Sequence, residues 1–131
     1  MAMTFLGIFL VLHGLVHSGL AAAPVPNDPA PKPGAFFTDP ACSWFLTRLG
    51  FSSKAIAITG ISLVALATFG FVLARLGVLG VAGLAGVWLQ LGVASAAVSL
   101  FLLAIFWHPW LVVGILIDIG ILALPLVAGR L

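Results

Sequence analysis

The stretch AIAITGISLVALATFGFVLAR, residues 55–75, carries no charged side chain before its final arginine. A helix that crosses the hydrocarbon core of a bilayer needs about 20 predominantly apolar residues, because the core is about 30 Å thick and each residue advances the helix by about 1.5 Å. Three further stretches are similarly long and apolar, at residues 3–23, 81–107 and 110–129. The sequence therefore predicts four transmembrane helices.

The composition agrees with a membrane protein. Hydrophobic residues make up 63% of the chain, charged residues only 6%, and the mean hydropathy is +1.35. A soluble domain of 131 residues needs far more charge on its surface. The net charge of +2 is too small for a nucleic-acid-binding surface. The spans lack the two-residue alternation of a transmembrane β-barrel and are about twice as long as a barrel strand. We predict an all-α membrane protein, one four-helix bundle over residues 1–131.

The first span ends in small residues, as a cleaved signal peptide does. However, no lysine or arginine precedes its apolar run, and two histidines interrupt it. We therefore expect this span to be retained as a helix of the bundle.

A long loop, residues 24–54, separates the first two spans, and its first half contains many prolines. Six prolines favour an extended, polyproline-like path along the surface. They are Pro24, Pro26, Pro29, Pro31, Pro33 and Pro40. In the second half, Asp39 is a candidate N-cap with Pro40 at the first helical position, which predicts a short helix lying in the membrane interface. Trp44 and Arg48 would anchor that helix. A lid over a site, a docking surface and a passive anchor remain alternatives.

The sequence FWHPW, residues 106–110, joins the third and fourth spans. Trp107 and Trp110 are predicted interfacial anchors, because tryptophan is enriched at the headgroup level. His108 lies between them and is interpreted first as an interfacial residue near a helix end. A role for His108 as a ligand, or at the mouth of a quinone site, is the alternative.

Polar side chains inside the spans are candidates for a functional site. His13 and His17 are one helical turn apart, so they share one face of the first span. Counted from the membrane face that carries the long loop, here called the loop face, they lie about 15 Å and about 9 Å deep. Asp118 lies about 12 Å deep, and Ser62 and Ser99 lie roughly 10 Å deep. The sequence therefore predicts that these residues meet at one level.

The chemistry of this group depends on how Asp118 is paired. An unpaired carboxylate at the bilayer centre costs roughly 2.5–3.5 kcal/mol on insertion scales, so a histidine partner is expected. That pairing would leave a ring nitrogen free for a metal, a haem iron, a chlorophyll-type magnesium or a quinone oxygen. His13 and His17 together suit one metal ion, but they cannot both be axial ligands of one haem. The structural alternative is that these side chains only join helices by hydrogen bonds.

Small residues in the third span form a close-packing pattern. The predicted packing positions are Gly83, Gly86, Gly92 and Ala96. They would allow close approach of another helix, either within the bundle or from a partner. Cys42 is the only cysteine, and it is interpreted as a small packing residue rather than as a reactive thiol.

Three segments, VLHGLVHSG, SWFLTRLG and FWHPWLVVGILIDIGIL, resemble a group of small four-helix membrane proteins of bacteria and archaea. In that group a first helix of the HGLxH type accompanies a tryptophan-rich start of the last helix. The resemblance implies the four-helix fold, a histidine-bearing first helix at His13 and His17, and a prokaryotic cytoplasmic membrane. It implies no activity, cofactor or substrate.

Two functions remain open from the sequence. The first is a non-enzymatic accessory or structural subunit, embedded in the lipid bilayer beside larger membrane subunits or other copies of itself. The second is a site that uses His13, His17 and Asp118, together with His108, to bind a metal, a tetrapyrrole or a quinone in electron transfer. The scarcity of charged residues for lining a pathway argues against transport. The accessory function is the prediction carried forward, and the bound-cofactor function is its alternative.

Overall fold

The computed structural model describes residues 2–25, 29–30 and 32–128. Within these ranges it contains helices and no strands. The five α-helices are α1 (Ala2–Ala22), α2 (Trp44–Arg48), α3 (Ser53–Val78), α4 (Trp88–Ile105) and α5 (Val112–Ala128). Single 3-10 turns at Pro40–Cys42 and Pro109–Leu111 precede α2 and α5. Four helical segments are long and apolar enough to cross a membrane, which confirms the predicted four-helix membrane architecture.

The four long helices pack in chain order. α1 packs against α3, α3 against α4, and α4 against α5. α1 and α5 do not pack closely along their lengths, and an open groove, the α1–α5 cleft, separates them. Successive spanning helices run in opposite directions, so the connections before α2 and between α4 and α5 lie at the loop face.

Small residues on α3 allow its neighbours to approach closely. The buried residues of α3 recur every three or four positions, as one helix face requires. They are Ile56, Gly60, Val64, Ala67, Phe71, Ala74 and Gly77. A Cβ atom on Gly60 would lie 1.7 Å from the carbonyl oxygen of Phe37, and one on Gly70 would lie 2.1 Å from Ser95 Oγ. Glycine at these two positions therefore brings the long loop and α4 onto α3.

The third span begins later than the sequence predicted. The helix starts at Trp88 rather than at residue 81, and residues 82–87 form turns. Gly83 has a φ of +83°, a conformation that favours glycine and interrupts a helix. Gly83 and Gly86 lie in these turns and are exposed, so they do not pack two helices of the bundle together; packing against a partner stays a prediction. Gly92 and Ala96 do lie buried on α4.

The second half of the long loop covers the loop-face end of the bundle. Phe36 and Phe37 are buried, and Phe37 packs edge-on against Phe106 with ring centroids 5.6 Å apart. They belong to the loop-face cluster, which consists of Phe36, Phe37, Leu46, Ile56, Val64, Leu102, Leu103, Ile105, Phe106 and Leu111. The short helix predicted here is present as α2, and residues 35–48, here called the plug, also pack buried side chains against the bundle. The predicted extended path at residues 26–28 and 31, and the predicted helix end at residue 129, lie outside the described residues.

Local hydrogen bonds explain how the plug is held. Asp39 caps the first 3-10 turn by accepting from the Ala41 amide at 2.8 Å, as its N-cap pattern predicted. The last carbonyls of a helix lack partners within that helix. Ser43 Oγ donates to the carbonyl of Ile105 at 3.0 Å, and Trp44 Nε1 donates to that of Ala104 at 2.8 Å. The plug thus supplies hydrogen-bond donors to two of the last carbonyls of α4.

The structure places the four predicted interfacial anchors on the outside of the molecule. Trp44, Arg48, Trp107 and Trp110 are all exposed. They lie on α2 and around the connection between α4 and α5, which is the end of the bundle where a membrane interface is expected.

Candidate functional site

Four buried polar side chains meet between three helices. α1 contributes His13 and His17, one turn apart on the face that points inward; α4 contributes Ser99 and α5 contributes Asp118. We call these four residues the polar network. The depth count placed all four at one level, and the structure brings them together. Ser62, counted at the same depth, is exposed on α3, so the expectation that its hydroxyl joins the site is wrong.

The polar network is a continuous chain of hydrogen bonds. His13 Nε2 lies 2.8 Å from Asp118 Oδ1. Ser99 Oγ donates to the other carboxylate oxygen, Asp118 Oδ2, at 2.5 Å. Ser99 Oγ also lies 2.8 Å from His17 Nε2. Asp118 therefore has a partner on each carboxylate oxygen, as its burial in an apolar helix requires.

The directions of these hydrogen bonds determine which ring nitrogen of His17 carries the proton. A serine hydroxyl has one proton, and that of Ser99 is directed at Asp118. The Ser99 oxygen must then accept from His17 Nε2, so the ring proton of a neutral His17 lies on Nε2. Its other nitrogen, Nδ1, consequently carries a lone pair. Nδ1 is buried and has no hydrogen-bond partner within the described part of the chain.

Apolar side chains close the polar network toward both membrane faces. The loop-face cluster lies on one side. On the other side lies a second cluster, composed of Leu10, Phe71, Ala74, Ala96 and Ile121. The ring of Phe71 also packs against both histidines, with centroids 5.1 Å from His13 and 6.5 Å from His17. The network is thus shielded along the bundle axis.

The α1–α5 cleft reaches the polar network from the side. It has a volume of about 530 Å³ and is lined by both histidines together with apolar residues of α1, α4 and the segment from Trp110 to Ile117. Leu12, Val16 and Val113, which line the cleft, are more than half exposed on the outer surface of the bundle. At this depth the outer surface faces lipid chains, so the cleft connects the two histidines with the membrane interior.

His108 does not join this site. Its Nδ1 accepts from the Trp110 amide at 3.2 Å, and the side chain caps the 3-10 turn that begins α5. It lines a separate cavity of about 420 Å³ beneath the plug, together with Phe36, Cys42 and Trp107. The interpretation of His108 as a ligand beside His13 and His17 is therefore corrected. The capping role follows from its place directly before Pro109.

The polar network also has the composition of a metal site. One ligand atom each from His13, His17 and Asp118 lie within 4.8 Å of one another. Two imidazoles and a carboxylate are a ligand set for divalent transition metals. To bind a metal, the network would have to exchange its present internal hydrogen bonds for metal bonds and lose protons from the histidines.

Sequence reasoning missed the packing role of α3. Small residues recur there at seven-residue intervals, as Gly60, Ala67 and Ala74 and again as Gly70 and Gly77. Because seven residues are close to two turns of an α-helix, this repeat marks one face. That signal could have identified α3 as the central helix. No feature of the sequence indicated that α1 and α5 would stand apart.

In comparisons with protein-family models, curated proteins and solved structures, nothing matches this chain.

Proposed function

We propose that this protein binds a lipid-soluble ligand of the quinone or quinol class in the α1–α5 cleft, with the polar head of the ligand on the polar network. The observation that carries the proposal is that His17 lines a cleft that opens toward lipid and carries a buried Nδ1 with no hydrogen-bond partner among the described residues. Function in electron or proton transfer within the membrane follows from the chemistry of such a ligand.

The burial of the network supports binding over helix association alone. Ionisable residues inside spanning helices are expensive, and they usually mark binding sites or proton pathways. A network that served only to join helices would gain most from satisfying all of its polar atoms. Within the described part of the chain, the buried Nδ1 of His17 is left without a partner, which favours a site that a ligand completes.

The cleft has suitable dimensions and chemistry. Ligand sites typically enclose about 300–1,000 Å³, with apolar walls and few polar groups. The α1–α5 cleft, at about 530 Å³, lies within that range, and its ionisable lining residues are His13 and His17. An aromatic head with an apolar tail therefore fits, the tail leaving the cleft among the lipid chains.

A tetrapyrrole fits this arrangement less well. The Nε2 atoms of both histidines are engaged with Asp118 and Ser99. The remaining His17 nitrogen, Nδ1, neighbours the ring carbon that carries the side chain, so a flat macrocycle there would approach the α1 backbone. A smaller head group avoids that clash.

A metal ion is the second candidate ligand, since the donor atoms of His13, His17 and Asp118 lie close together. Its difficulty is access. A hydrated cation would have to pass either the apolar clusters along the bundle axis or the lipid-facing cleft, and both routes require its dehydration. A lipid-soluble ligand reaches the cleft directly from the bilayer.

The accessory-subunit function stays a separate proposal. It would place this chain beside larger membrane subunits or further copies of itself, in the prokaryotic cytoplasmic membrane that the sequence resemblance implies. The two proposals differ in what they require of the cleft, since only ligand binding needs it open.

The test uses a decyl-substituted benzoquinone and the full chain reconstituted in lipid nanodiscs. Binding is followed by quenching of tryptophan fluorescence, with Trp110→Phe identifying the signal that comes from the cleft. Leu12→Trp narrows the cleft, and Leu15→Trp is its matched control. Both leucines lie on α1 and are exposed, 58% and 51% respectively, but only Leu12 lines the cleft.

We expect the Leu12→Trp substitution to weaken quinone binding about tenfold or more, the loss of roughly one good contact, while Leu15→Trp leaves it unchanged. Equal affinities in both variants, or no binding of either the quinone or its quinol, would overturn the proposal. Metal analysis of the same preparations is also decisive. A stoichiometric metal that is lost in the His13→Ala and His17→Ala variants would establish the metal site instead.

A further inference from the structure

The hydrogen-bond directions in the polar network restrict the head group that the cleft can accept. We infer that the ligand presents a hydroxyl proton to His17 Nδ1, so that the cleft selects quinols and other apolar phenols over quinones and ethers. This inference rests on the proposed function, and it adds the chemical form of the ligand.

The first step concerns Asp118. Its carboxylate accepts from Ser99 on Oδ2 and has His13 Nε2 on Oδ1 at hydrogen-bond distance. Both partners belong to the protein, so the carboxylate has no need of a ligand proton. Asp118 therefore orients the network rather than contacting the head group.

The second step concerns the position of the ring proton of His17. Because the Ser99 proton is used on Asp118, the Ser99 oxygen can only accept, and it holds the His17 proton on Nε2. An imidazolium at His17 would donate to the neutral Ser99 hydroxyl rather than directly to the Asp118 carboxylate, and a charge in an apolar interior is expensive. Neutral His17 then offers Nδ1 as an acceptor.

The third step is the match with the ligand. A buried acceptor with no partner loses the hydrogen bond that water would have supplied, so a donor that reaches it gains affinity. A hydroxyl supplies that donor. A quinone carbonyl or an ether oxygen would instead bring a second lone pair against Nδ1. Trp110, which carries an indole N–H, also lines the cleft, but Trp110 is exposed, and its donor does not change what His17 requires.

Two ligands that differ only at the hydroxyl proton test whether that proton contributes to binding. The probes are 4-nonylphenol and 4-nonylanisole, which share the ring and tail and differ by the methyl group that replaces the hydroxyl proton. Binding to the wild-type chain in nanodiscs is followed by Trp110 fluorescence. We expect the phenol to bind about tenfold more tightly, the effect of one buried hydrogen bond.

Two variants and one spectrum test the assignment to His17. In His17→Phe the ring is kept and the acceptor is lost, so the two probes should bind equally. In Ser99→Ala the His17 proton is no longer held on Nε2, so the preference should fall. Nitrogen-15 NMR of histidine-labelled wild-type protein needs no variant. It should show an unprotonated His17 Nδ1 that shifts when the phenol binds.

The outcomes separate this inference from the proposed function. If phenol and ether bind equally, and Leu12→Trp weakens both, the cleft binds lipid-phase ligands but the hydroxyl preference is refuted. A protonated Nδ1 in the ligand-free protein, or tighter binding of the ether, also refutes it. If neither probe nor the quinone binds in the cleft, the proposed function fails as well.

Discussion

At the residue scale, the central feature is a carboxylate at mid-membrane depth that is fully satisfied by its neighbours. Asp118 is completely buried, and it is held by His13 from α1 and Ser99 from α4. Removing one member of such a group leaves another polar atom buried without a partner, which costs more than the hydrogen bond contributed. These side chains should therefore respond to substitution as a unit.

We expect His13→Ala and Asp118→Asn to be strongly non-additive. Each single change should lower the free energy of unfolding by about 3–5 kcal/mol, because a buried pair is broken. The double variant should recover about 0.5–3 kcal/mol relative to the sum of the two single changes. Reversible unfolding in mixed micelles measures this coupling.

The control for this cycle pairs Asp118→Asn with Ser52→Ala. Ser52 is exposed and caps α3 by accepting from the Ala55 amide, and it shares no partner with Asp118. The effects of these two substitutions should add. Additive effects for His13 and Asp118 as well would contradict the pairing.

At the element scale, α3 determines how closely the bundle can pack. At its small residues, neighbouring segments contact the α3 backbone directly. The closest such contact is between Gly60 and the carbonyl of Phe37. A backbone carbonyl cannot rotate away as the end of a long side chain can. The plug and α3 therefore have complementary shapes, even though their amino-acid compositions differ.

A single methyl group added at Gly60 tests this fit. Gly60→Ala places a Cβ 1.7 Å from the Phe37 oxygen, so the plug must shift, and overpacking of this kind typically costs about 1–3 kcal/mol. Gly86→Ala is the matched control, because a Cβ there meets nothing within 4 Å. Thermal unfolding in detergent should separate the two variants. Equal melting temperatures would be evidence against a close-packed plug.

Hydropathy explains why one helix boundary was mispredicted. Residues 81–87 are as apolar as the helices around them, so the hydropathy pattern extended the third span through them. The chain turns there because Gly80 and Gly83 adopt positive φ angles. Hydropathy reports the preferred environment of a segment, whereas glycine conformation decides where a helix starts.

At the scale of the whole molecule, the bundle is closed at its loop-face end and open at its side. The plug covers the ends of α3 and α4 with aromatic side chains, while α1 and α5 leave the cleft between them. A ligand that enters from water would instead need an opening at the end of the bundle and a closed side. This shape supports the proposal that the ligand comes from the lipid phase.

The alternating direction of the helices makes a prediction about exposure to the two membrane faces. Ser53, at the start of α3, and Ala82, in the turns that follow its other end, are both exposed. In a Cys42→Ser background, Ala82→Cys and Ser53→Cys should react with a membrane-impermeant maleimide from opposite faces of sealed vesicles. Labelling of both positions from the same face would contradict a spanning α3.

The sequence by itself determined the environment of the protein and the number of its spans, because the apolar character and length of each segment are local properties of the chain. Helical spacing and depth also placed His13, His17, Asp118 and Ser99 at one level. Only the tertiary structure showed that Ser99 rather than Ser62 joins the network and that His108 caps a 3-10 turn. It also showed that a cleft lies between α1 and α5. Those results depend on how each helix is rotated about its axis. Contacts between residues far apart in the chain set that rotation, and local patterns do not encode it.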